Sequence, residues 1–313
     1  MLNRVYLVVT PKKEERQIKS FAGVCFFSFL NKKKKKIDMV KDTDPSINES
    51  TFLLEALKQG RRVDGREVYD MRSIEITLGN DYGYAEVRLG KTKVAAHVTA
   101  EVVRPYTDRP SEGVLLFNTE ISPMAAPTFD TSNRSEEEIL ISRIVEKALR
   151  RSRAIDTEGL CIVSGEKVWQ IRVDLLFLDH DGNLVDCACI AAITALLHFR
   201  RPDVTVSGEE VTIHPIDQRN PVPLSIHHIP ICITFAFFDK GELLVVDPNH
   251  LEEQCKEGNM TITMNINKEI CALSKAGGIP LEMDQVLRCS QIALIKVTEV
   301  TELIQKTLQD NKS

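Results

Sequence analysis

The sequence contains no long apolar run and few of the residues that break regular structure. Its 313 residues include 15 glycines and 13 prolines, which is too few for a collagen-like, linker or low-complexity chain. No apolar stretch approaches the roughly 18 residues that span a bilayer, so we expect no membrane association. Hydrophobic residues make up 43% and charged residues 27% of the chain. This composition predicts a soluble globular protein with one large domain or two smaller ones.

Several kinds of catalytic and cofactor site are also absent from the sequence. It has no phosphate-binding P-loop, no dinucleotide-binding fingerprint and no Gly-x-Ser-x-Gly nucleophile motif. The eight cysteines never occur at Cys-x-x-Cys spacing, and most fall in apolar segments, where a thiol behaves as a small hydrophobic group. We therefore expect free thiols in a reducing compartment, no metal site and no cofactor.

Charge is unevenly distributed along the chain. Residues 1–38 carry a net charge of +7, including five consecutive lysines at 32–36, and the remainder carries −12. A lysine run of this kind can serve as a nuclear address or a nucleic-acid-binding arm. We interpret residues 1–44 instead as a disordered or mispredicted basic extension. Because the remainder is acidic, any contact with nucleic acid must use a local basic patch.

The periodicity of apolar residues predicts an α+β fold. A short helix (49–59) and a charged turn make up residues 45–70. Further helices are predicted at 135–151, 184–199 (nearly all apolar, hence buried) and 282–309, and strands at 74–76, 84–89, 93–103, 113–121, 160–163, 167–178, 204–206, 210–214, 224–238, 243–247, 260–266 and 269–272. One strand-rich pattern followed by a helix is used twice, which predicts a first half at 71–205 and a second at 206–310. Strands and helices in separate groups favour α+β over a doubly wound sheet.

The helix that begins at Ser135 carries the best candidate binding surface. Glu138 follows Ser135 by three residues, which is the spacing of a capping box. Apolar residues recur on one face of the helix from Ile141 to Leu149. Four cations fall on the opposite face and form what we call the basic stripe: Arg143, Lys147, Arg150 and Arg151. Such a ladder matches a phosphate backbone without reading bases. The alternative is an ordinary solvated face whose charge suits the helix dipole.

Two other groups of residues are weaker candidates. Acidic residues cluster near one turn and could hold Mg²⁺ beside a phosphate: Asp174, Asp179, Asp181 and Asp186. A solvated turn with Asp181 or Asn183 capping the next helix is the favoured interpretation. His227 and His228 are adjacent and would point to opposite faces of a strand, so we expect no metal there.

Several longer motifs resemble a known family. Residues 62–66 (RVDGR), 71–72, 82–83 and 90–94 resemble ribonuclease PH-like chains. Residues 165–174 (GEKVWQIRVD), 198–204, 221–228, 277–279 and 284–289 are similar to the 45-kilodalton ribonuclease PH-like type of exosome ring subunit, the polymyositis/scleroderma autoantigen family. The resemblance covers roughly residues 45–310. It implies a ribonuclease PH-like fold in a ring of six such subunits.

The resemblance also implies which residues phosphorolysis would need. Active relatives degrade RNA from the 3′ end with inorganic phosphate as nucleophile, using paired arginines, a phosphate-holding Thr-Arg and an acidic pair. Here Glu136 and Glu137 stand in place of the paired arginines, and Leu184 and Val185 in place of Thr-Arg. We therefore expect no catalytic residues and a non-catalytic ring subunit.

The acidic pair is the third feature of the active relatives that this sequence does not keep. By the same comparison its first member falls on Asp217 and its second on Pro223. The alternatives are a phosphorolytic 3′–5′ exoribonuclease, if the fold alone decided function, and a free-standing RNA-binding protein.

The same resemblance gives the basic stripe a role. Inactive ring partners in archaeal exosomes carry two basic residues one helical turn apart on the corresponding helix, and Arg143 and Lys147 match that spacing. The implied partners are RNA, other ribonuclease PH-like ring subunits and cap proteins with RNA-binding domains. The implied processes are rRNA maturation and mRNA turnover, in the nucleus and nucleolus and also in the cytoplasm.

Overall fold

The computed structural model describes residues 44–129, 135–207, 210–215 and 218–311. The extension predicted for residues 1–44 lies outside the described residues except for Asp44, and Asp217 lies outside them too. The first helix, α1 (Ile47–Lys58), begins at a capping box formed by Ser46 and Glu49, and it buries Leu53 and Leu57. It is the short helix that the apolar stripe predicted.

A six-stranded sheet forms the first half of the fold. Its strands are β1 (Ile74–Leu78), β2 (Tyr84–Leu89), β3 (Thr92–Val103), β4 (Val114–Ile121), β5 (Cys161–Val163) and β6 (Lys167–Asp179). The main order is β1-β2-β3-β6-β4, with β5 paired to β6. The hairpin predicted around residues 90–92 joins β2 to β3, and β4 runs parallel to β6. Alternate residues, such as Val173 and Phe177 of β6, point into the core.

The helix predicted from Ser135 is present but changes form along its length. The regular part is α2 (Glu136–Glu146), and a π turn (Lys147–Arg151) continues it. Ser135 and Glu138 form the predicted capping box. Glu138 also accepts a hydrogen bond from the backbone of Ile121, and the Thr119 hydroxyl donates to the Glu138 carbonyl. These contacts cover the free edge of β4.

The apolar helix α3 (Leu184–His198) lies at the centre of the molecule, between the two large sheets. Nearly all of its residues are buried, as its apolar composition predicted. The turn before it contains Gly182 with φ +82°, and a Cβ there would lie 2.5 Å from the backbone carbon of Asn249. Only glycine therefore lets this turn pass against the chain at Asn249.

The second half consists of a four-stranded sheet and the long helix α5 (Met283–Asp310). Its strands are β11 (Ile231–Phe238), β12 (Leu243–Val246), β13 (Gly258–Met264) and β14 (Ile270–Ser274), in the order β12-β11-β13-β14. Every residue of β11 is buried. Short elements complete the chain: β7 (Arg200–Arg201) pairs with β10 (Val222–Pro223), β8 (Val204–Ser207) pairs with β9 (Glu210–Ile213), and α4 (His250–Cys255) follows β12.

Two local predictions were wrong. The strand predicted from residue 224 begins only at Ile231, because prolines at 221, 223 and 230 cannot donate to a ladder. His227 and His228 therefore lie in irregular chain and do not alternate as strand residues do. Helix α4 was not predicted because six residues are too few to show a helical period.

One hydrophobic core joins the two halves. It includes Phe177 from the first sheet, Ile190 from α3, Phe235 from the second sheet and Val297 from α5. The described residues form one compact unit, and the predicted boundary between residues 205 and 206 stays a prediction. In the described part of the chain, no helix is long and apolar enough to cross a membrane.

Candidate nucleic-acid interface

The four residues of the basic stripe differ in how far they are free to bind a ligand. Arg143 and Arg151 are exposed and have no hydrogen bond or ion pair among the described residues. Lys147 is half-buried, and its Nζ donates to the carbonyl of Leu273 in β14 at 2.8 Å. The fourth, Arg150, pairs with Glu146 at 2.9 Å. The structure thus leaves two of the four cations free and engages the other two.

The π turn explains why the stripe is not one continuous ladder. In a π turn the backbone bonds run from i to i+5, so each turn holds more residues than an α-helical turn. Residues after Lys147 are therefore rotated relative to the positions that an uninterrupted α-helix predicts. Ala148 and Leu149 stay fully buried, so the apolar face is kept while the cations separate into Arg143 on α2 and the arginines at the end of the π turn.

The N-terminus of α3 has apolar side chains where a phosphate would need donors. Leu184 is 6% exposed and belongs to the main core. Val185 packs against a small buried cluster formed by Ala148, Cys189 and Cys232. Neither side chain can donate a hydrogen bond or offer a charge to an anion.

The carboxylate of Glu253 lies at this helix terminus, and the Nζ of Lys256 is 3.8 Å from its Oε1. Burial raises the pKa of Glu253 above its usual range, while the charge of Lys256 and a hydrogen bond from the backbone of Asn183 act to lower it. The nearby charge of Glu137 raises it further. Glu253 thus faces the backbone groups that attract anions at a helix N-terminus. An incoming phosphate would compete there with the Glu253 carboxylate, which already pairs with Lys256.

An arginine close to this helix terminus is held by the fold itself. Arg72 is 9% exposed, donates to the carbonyls of Asp181 and Gly182, and binds both carboxylate oxygens of Asp247. Burial acts to raise the pKa of Asp247, but its hydrogen bonds with Arg72 and Asn183 outweigh burial and hold that pKa below its usual range. The charge of Arg72 is therefore matched inside the protein and is not available to a ligand.

A second buried arginine completes this network. The Arg62 guanidinium binds both carboxylate oxygens of Glu252 and donates to the carbonyls of Val246 and Asp247, each at 2.8 Å. Its side chain is wholly inaccessible. Arg66 also binds the Asp247 carboxylate, at 3.0 Å. The RVDGR motif thus ties the segment after α1 to the β12–α4 connection, and its role here is structural.

The acidic group considered for Mg²⁺ is divided between two environments. Asp174 lies on the outer face of the first sheet and pairs with Arg172. Asp186 is fully buried and accepts hydrogen bonds from the backbone and hydroxyl of Thr234 and from the amide of Asn183. Among the described residues no group of three or more acidic, histidine or cysteine side chains is placed to hold a metal ion. The favoured interpretation of the turn before α3 was wrong in two respects. Asn183 occupies the N-cap position, but it is buried rather than solvated, and its side chain donates to Asp186 and Asp247 instead of capping the helix.

Asp186 gives the protein a pH-dependent stability. Burial raises its pKa from 3.8 to about 7, against the hydrogen bonds of Thr234 and Asn183. A carboxyl with a raised folded-state pKa stabilises the fold fully below its ordinary pKa and loses that contribution as pH rises through about 7. We expect the free energy of unfolding to fall by about 1 kcal/mol between pH 6 and pH 8. Chemical unfolding of Asp186→Asn should show a flatter profile, and an equally steep one would assign the dependence to another group.

Pro223, the position assigned to the second member of the acidic pair, does not lie at this site, and Asp217 is outside the described residues. Pro223 pairs with Arg200, which follows the C-terminal end of α3, whereas Leu184 begins that helix. The helix separates them by about 20 Å. The carboxylates that the structure brings to the N-terminus of α3 include Asp247 and Glu253. The sequence comparison missed them because they come from the β12–α4 connection, more than 60 residues further along the chain.

Two family models match the chain: domain 1 of the 3′ exoribonuclease family (RNase_PH) over residues 70–202, and domain 2 of that family over residues 228–296. The chain therefore belongs to the 3′ exoribonuclease family, with a ribonuclease PH-like fold. The resemblance and the α+β fold predicted from the sequence are thus confirmed.

Individual relatives show which members of that family the chain is most similar to among those compared. The chain is 54% identical over 273 residues to exosome complex component RRP45 of Bos taurus, covering 87% of this chain and 62% of the relative. It is 49% identical to exosome complex component rrp45 of Schizosaccharomyces pombe, covering 87% and 94%. The chain thus spans 62% of the length of the bovine relative.

Solved structures give the same result at lower identity. A chain of the Archaeoglobus fulgidus exosome with RNA bound to the active site matches with a TM-score of 0.72 and 29% identity, covering 82% of this chain and 97% of that one. An archaeal exosome core chain matches with a TM-score of 0.69 and 28% identity, covering 82% and 96%.

Proposed function

We propose that this chain is a non-catalytic, structural ring subunit of the RNA exosome. It contributes to RNA binding and to 3′–5′ RNA processing and degradation, including rRNA maturation and mRNA turnover. The names of its relatives and the exosome structures that it resembles support the ring assignment. The observation that carries the non-catalytic part is the N-terminus of α3, where Leu184 and Val185 are packed against the protein and Glu253 faces the backbone groups.

The argument against catalysis is electrostatic. Phosphorolysis brings an inorganic phosphate next to a phosphodiester, so several negative charges must be stabilised together by cations or hydrogen-bond donors. Glu136 and Glu137 are exposed acidic residues at the start of α2, and the charge of Glu137 acts on Glu253. At the N-terminus of α3, Leu184 and Val185 are apolar, and Arg72 is paired inside the protein. Each of these features disfavours the negatively charged transition state.

The basic stripe is the surface that we assign to RNA. Arg143 and Arg151 contact phosphates directly. Lys147 can exchange the Leu273 carbonyl for a phosphate, and Arg150 can exchange Glu146 for one, because both present contacts are exposed and weak. No exposed aromatic side chain lies between Arg143 and Arg151 in the sequence, so the surface binds backbone rather than bases.

The partners follow from the same proposal. They are RNA, the other ribonuclease PH-like ring subunits and cap proteins with RNA-binding domains. The protein acts in the nucleus and nucleolus and also in the cytoplasm. Fluorescence of the tagged chain in cells tests this location, and signal confined to a membrane or a secretory compartment would contradict it.

Assembly tests the proposal most simply. The chain expressed alone is compared by size exclusion with the chain co-expressed with the other ring subunits. We expect the chain expressed alone not to elute as a stable monomer. We expect the co-expressed chain to elute in a stable stoichiometric ring. A soluble monomer that binds RNA and never enters the ring would instead support the free-standing RNA-binding protein.

A further inference from the structure

Arg153, just beyond the π turn, has a backbone conformation that residues with a side chain rarely adopt. Its φ angle is +56°, in the left-handed region that favours glycine. The Arg153 N–H donates to the carbonyl of Arg150 at 3.1 Å, and the Ala154 N–H donates to the carbonyl of Leu149 at 3.2 Å. These two bonds are typical of the Schellman ending of a helix, where glycine is the usual left-handed residue. An arginine is therefore held here under local strain.

The fold does not use the side chain that causes this strain. The guanidinium of Arg153 is exposed and has no hydrogen bond or ion pair among the described residues. The apolar contact expected at such a helix ending comes from Ala154, which is fully buried. A cation near a helix C-terminus gains from the helix dipole, but Arg150 and Arg151 already supply two. The dipole alone gives no reason for a third cation at a position suited to glycine.

Five basic residues lie between positions 143 and 153, and they fall into two groups. Lys147 and Arg150 are engaged by the protein. The other three have no partner among the described residues: Arg143, Arg151 and Arg153. Two of these three follow one another closely at the end of the π turn. Guanidinium groups bind phosphate through two parallel hydrogen bonds.

We propose that Arg153 is a further RNA-binding residue and that it forms, with Arg151, a phosphate-binding pair at the end of the π turn. Its ligand is the phosphodiester backbone of single-stranded RNA, without selection of bases. The proposal rests on the function proposed above for the basic stripe. It extends that surface beyond the helix to a residue whose backbone conformation is costly and whose charge is otherwise unused.

Substitution by glycine separates binding from folding. Arg153→Gly removes the charge and relieves the strained φ angle at once. In the assembled ring we expect RNA affinity to fall about fivefold at low salt, and the slope of log affinity against log salt to decrease by about 0.7. The midpoint of thermal unfolding of the chain should rise by about 2 °C. A variant that is more stable and yet binds RNA less tightly is the result expected.

Matched variants make the result specific. Arg153→Lys keeps the charge but loses the bidentate guanidinium, so it should bind RNA less tightly than the wild type and more tightly than Arg153→Gly. Arg153→Asn also tolerates the left-handed conformation and should weaken binding as glycine does. Arg61→Gly removes an exposed arginine from the turn after α1 and should leave binding unchanged.

Two outcomes distinguish this inference from the proposed function. If Arg153→Gly and Arg153→Asn bind RNA like the wild type while the double substitution Arg143→Glu, Arg151→Glu weakens binding, the inference fails and the proposed function stands. If the double substitution also leaves binding unchanged, the basic stripe is not an RNA-binding surface and both fail.

Discussion

Replacing Asp247 by alanine is expected to lower the free energy of unfolding by about 3–5 kcal/mol. The carboxylate is wholly buried and binds Arg72, Arg66 and Asn183. Its removal leaves the Arg72 charge buried without its main partner, and the cost of such an uncompensated charge exceeds the value of the pair itself. Chemical unfolding of the purified chain or ring measures the effect.

Two further variants show whether the charge or the shape of Asp247 matters. Asp247→Asn keeps the size of the side chain but removes its charge, and it should lose most of the same stability. Asp81→Ala, at an exposed position, should change the free energy of unfolding by less than about 0.5 kcal/mol. A loss for Asp247→Ala no larger than that of Asp81→Ala would show that the buried network does not hold the two halves together.

Reversing the charge of the two free cations of the basic stripe is expected to weaken RNA binding about 100-fold at low salt. Arg143→Glu and Arg151→Glu together remove two phosphate contacts and add repulsion. The slope of log affinity against log salt should fall by about 1.4, since each phosphate contact contributes about 0.7 for single strands. Filter binding of a single-stranded RNA to the assembled ring at several salt concentrations gives both quantities.

The control for this experiment makes the same kind of substitution, arginine to glutamate, outside the basic stripe. Arg61→Glu, in the turn after α1, should reduce RNA affinity only slightly through net charge. Ring assembly should be unaffected in both cases, because Arg143 and Arg151 make no hydrogen bond or ion pair within the described part of the chain. Equal binding by the wild type and the double variant at low and moderate salt would remove these two residues from the RNA path.

Local sequence signals predicted much of the fold because they act over a few residues. The spacing of Ser135 and Glu138 predicts the start of a helix, and the structure contains that capping box. The unbroken apolar run after Asn183 predicted a buried helix, and α3 is one. The π turn was not predicted because Ala148 and Leu149 are apolar in either helical form. Periodicity therefore cannot show where one residue is added to a turn.

The candidate site was harder to predict because its charges come from distant parts of the chain. The partners Arg72 and Asp247 are separated by 175 residues, and no local pattern links them. The basic stripe was visible in sequence, but the engagement of Lys147 by the β14 carbonyl depends on tertiary contact. The assignment of Arg143, Lys147, Arg150 and Arg151 to RNA stays a prediction.

The absence of catalysis by this chain is tested most directly by phosphate-dependent release of nucleoside diphosphates. The assembled ring, without associated hydrolytic nucleases, is incubated with a tailed RNA and inorganic phosphate. We predict no release that depends on this subunit, so wild-type rings and rings with Asp217→Ala, the position that the resemblance assigns to the acidic pair, should give the same background. Phosphate-dependent release that disappears in the Asp217→Ala ring would contradict the account, because it would show that this subunit still supports phosphorolysis.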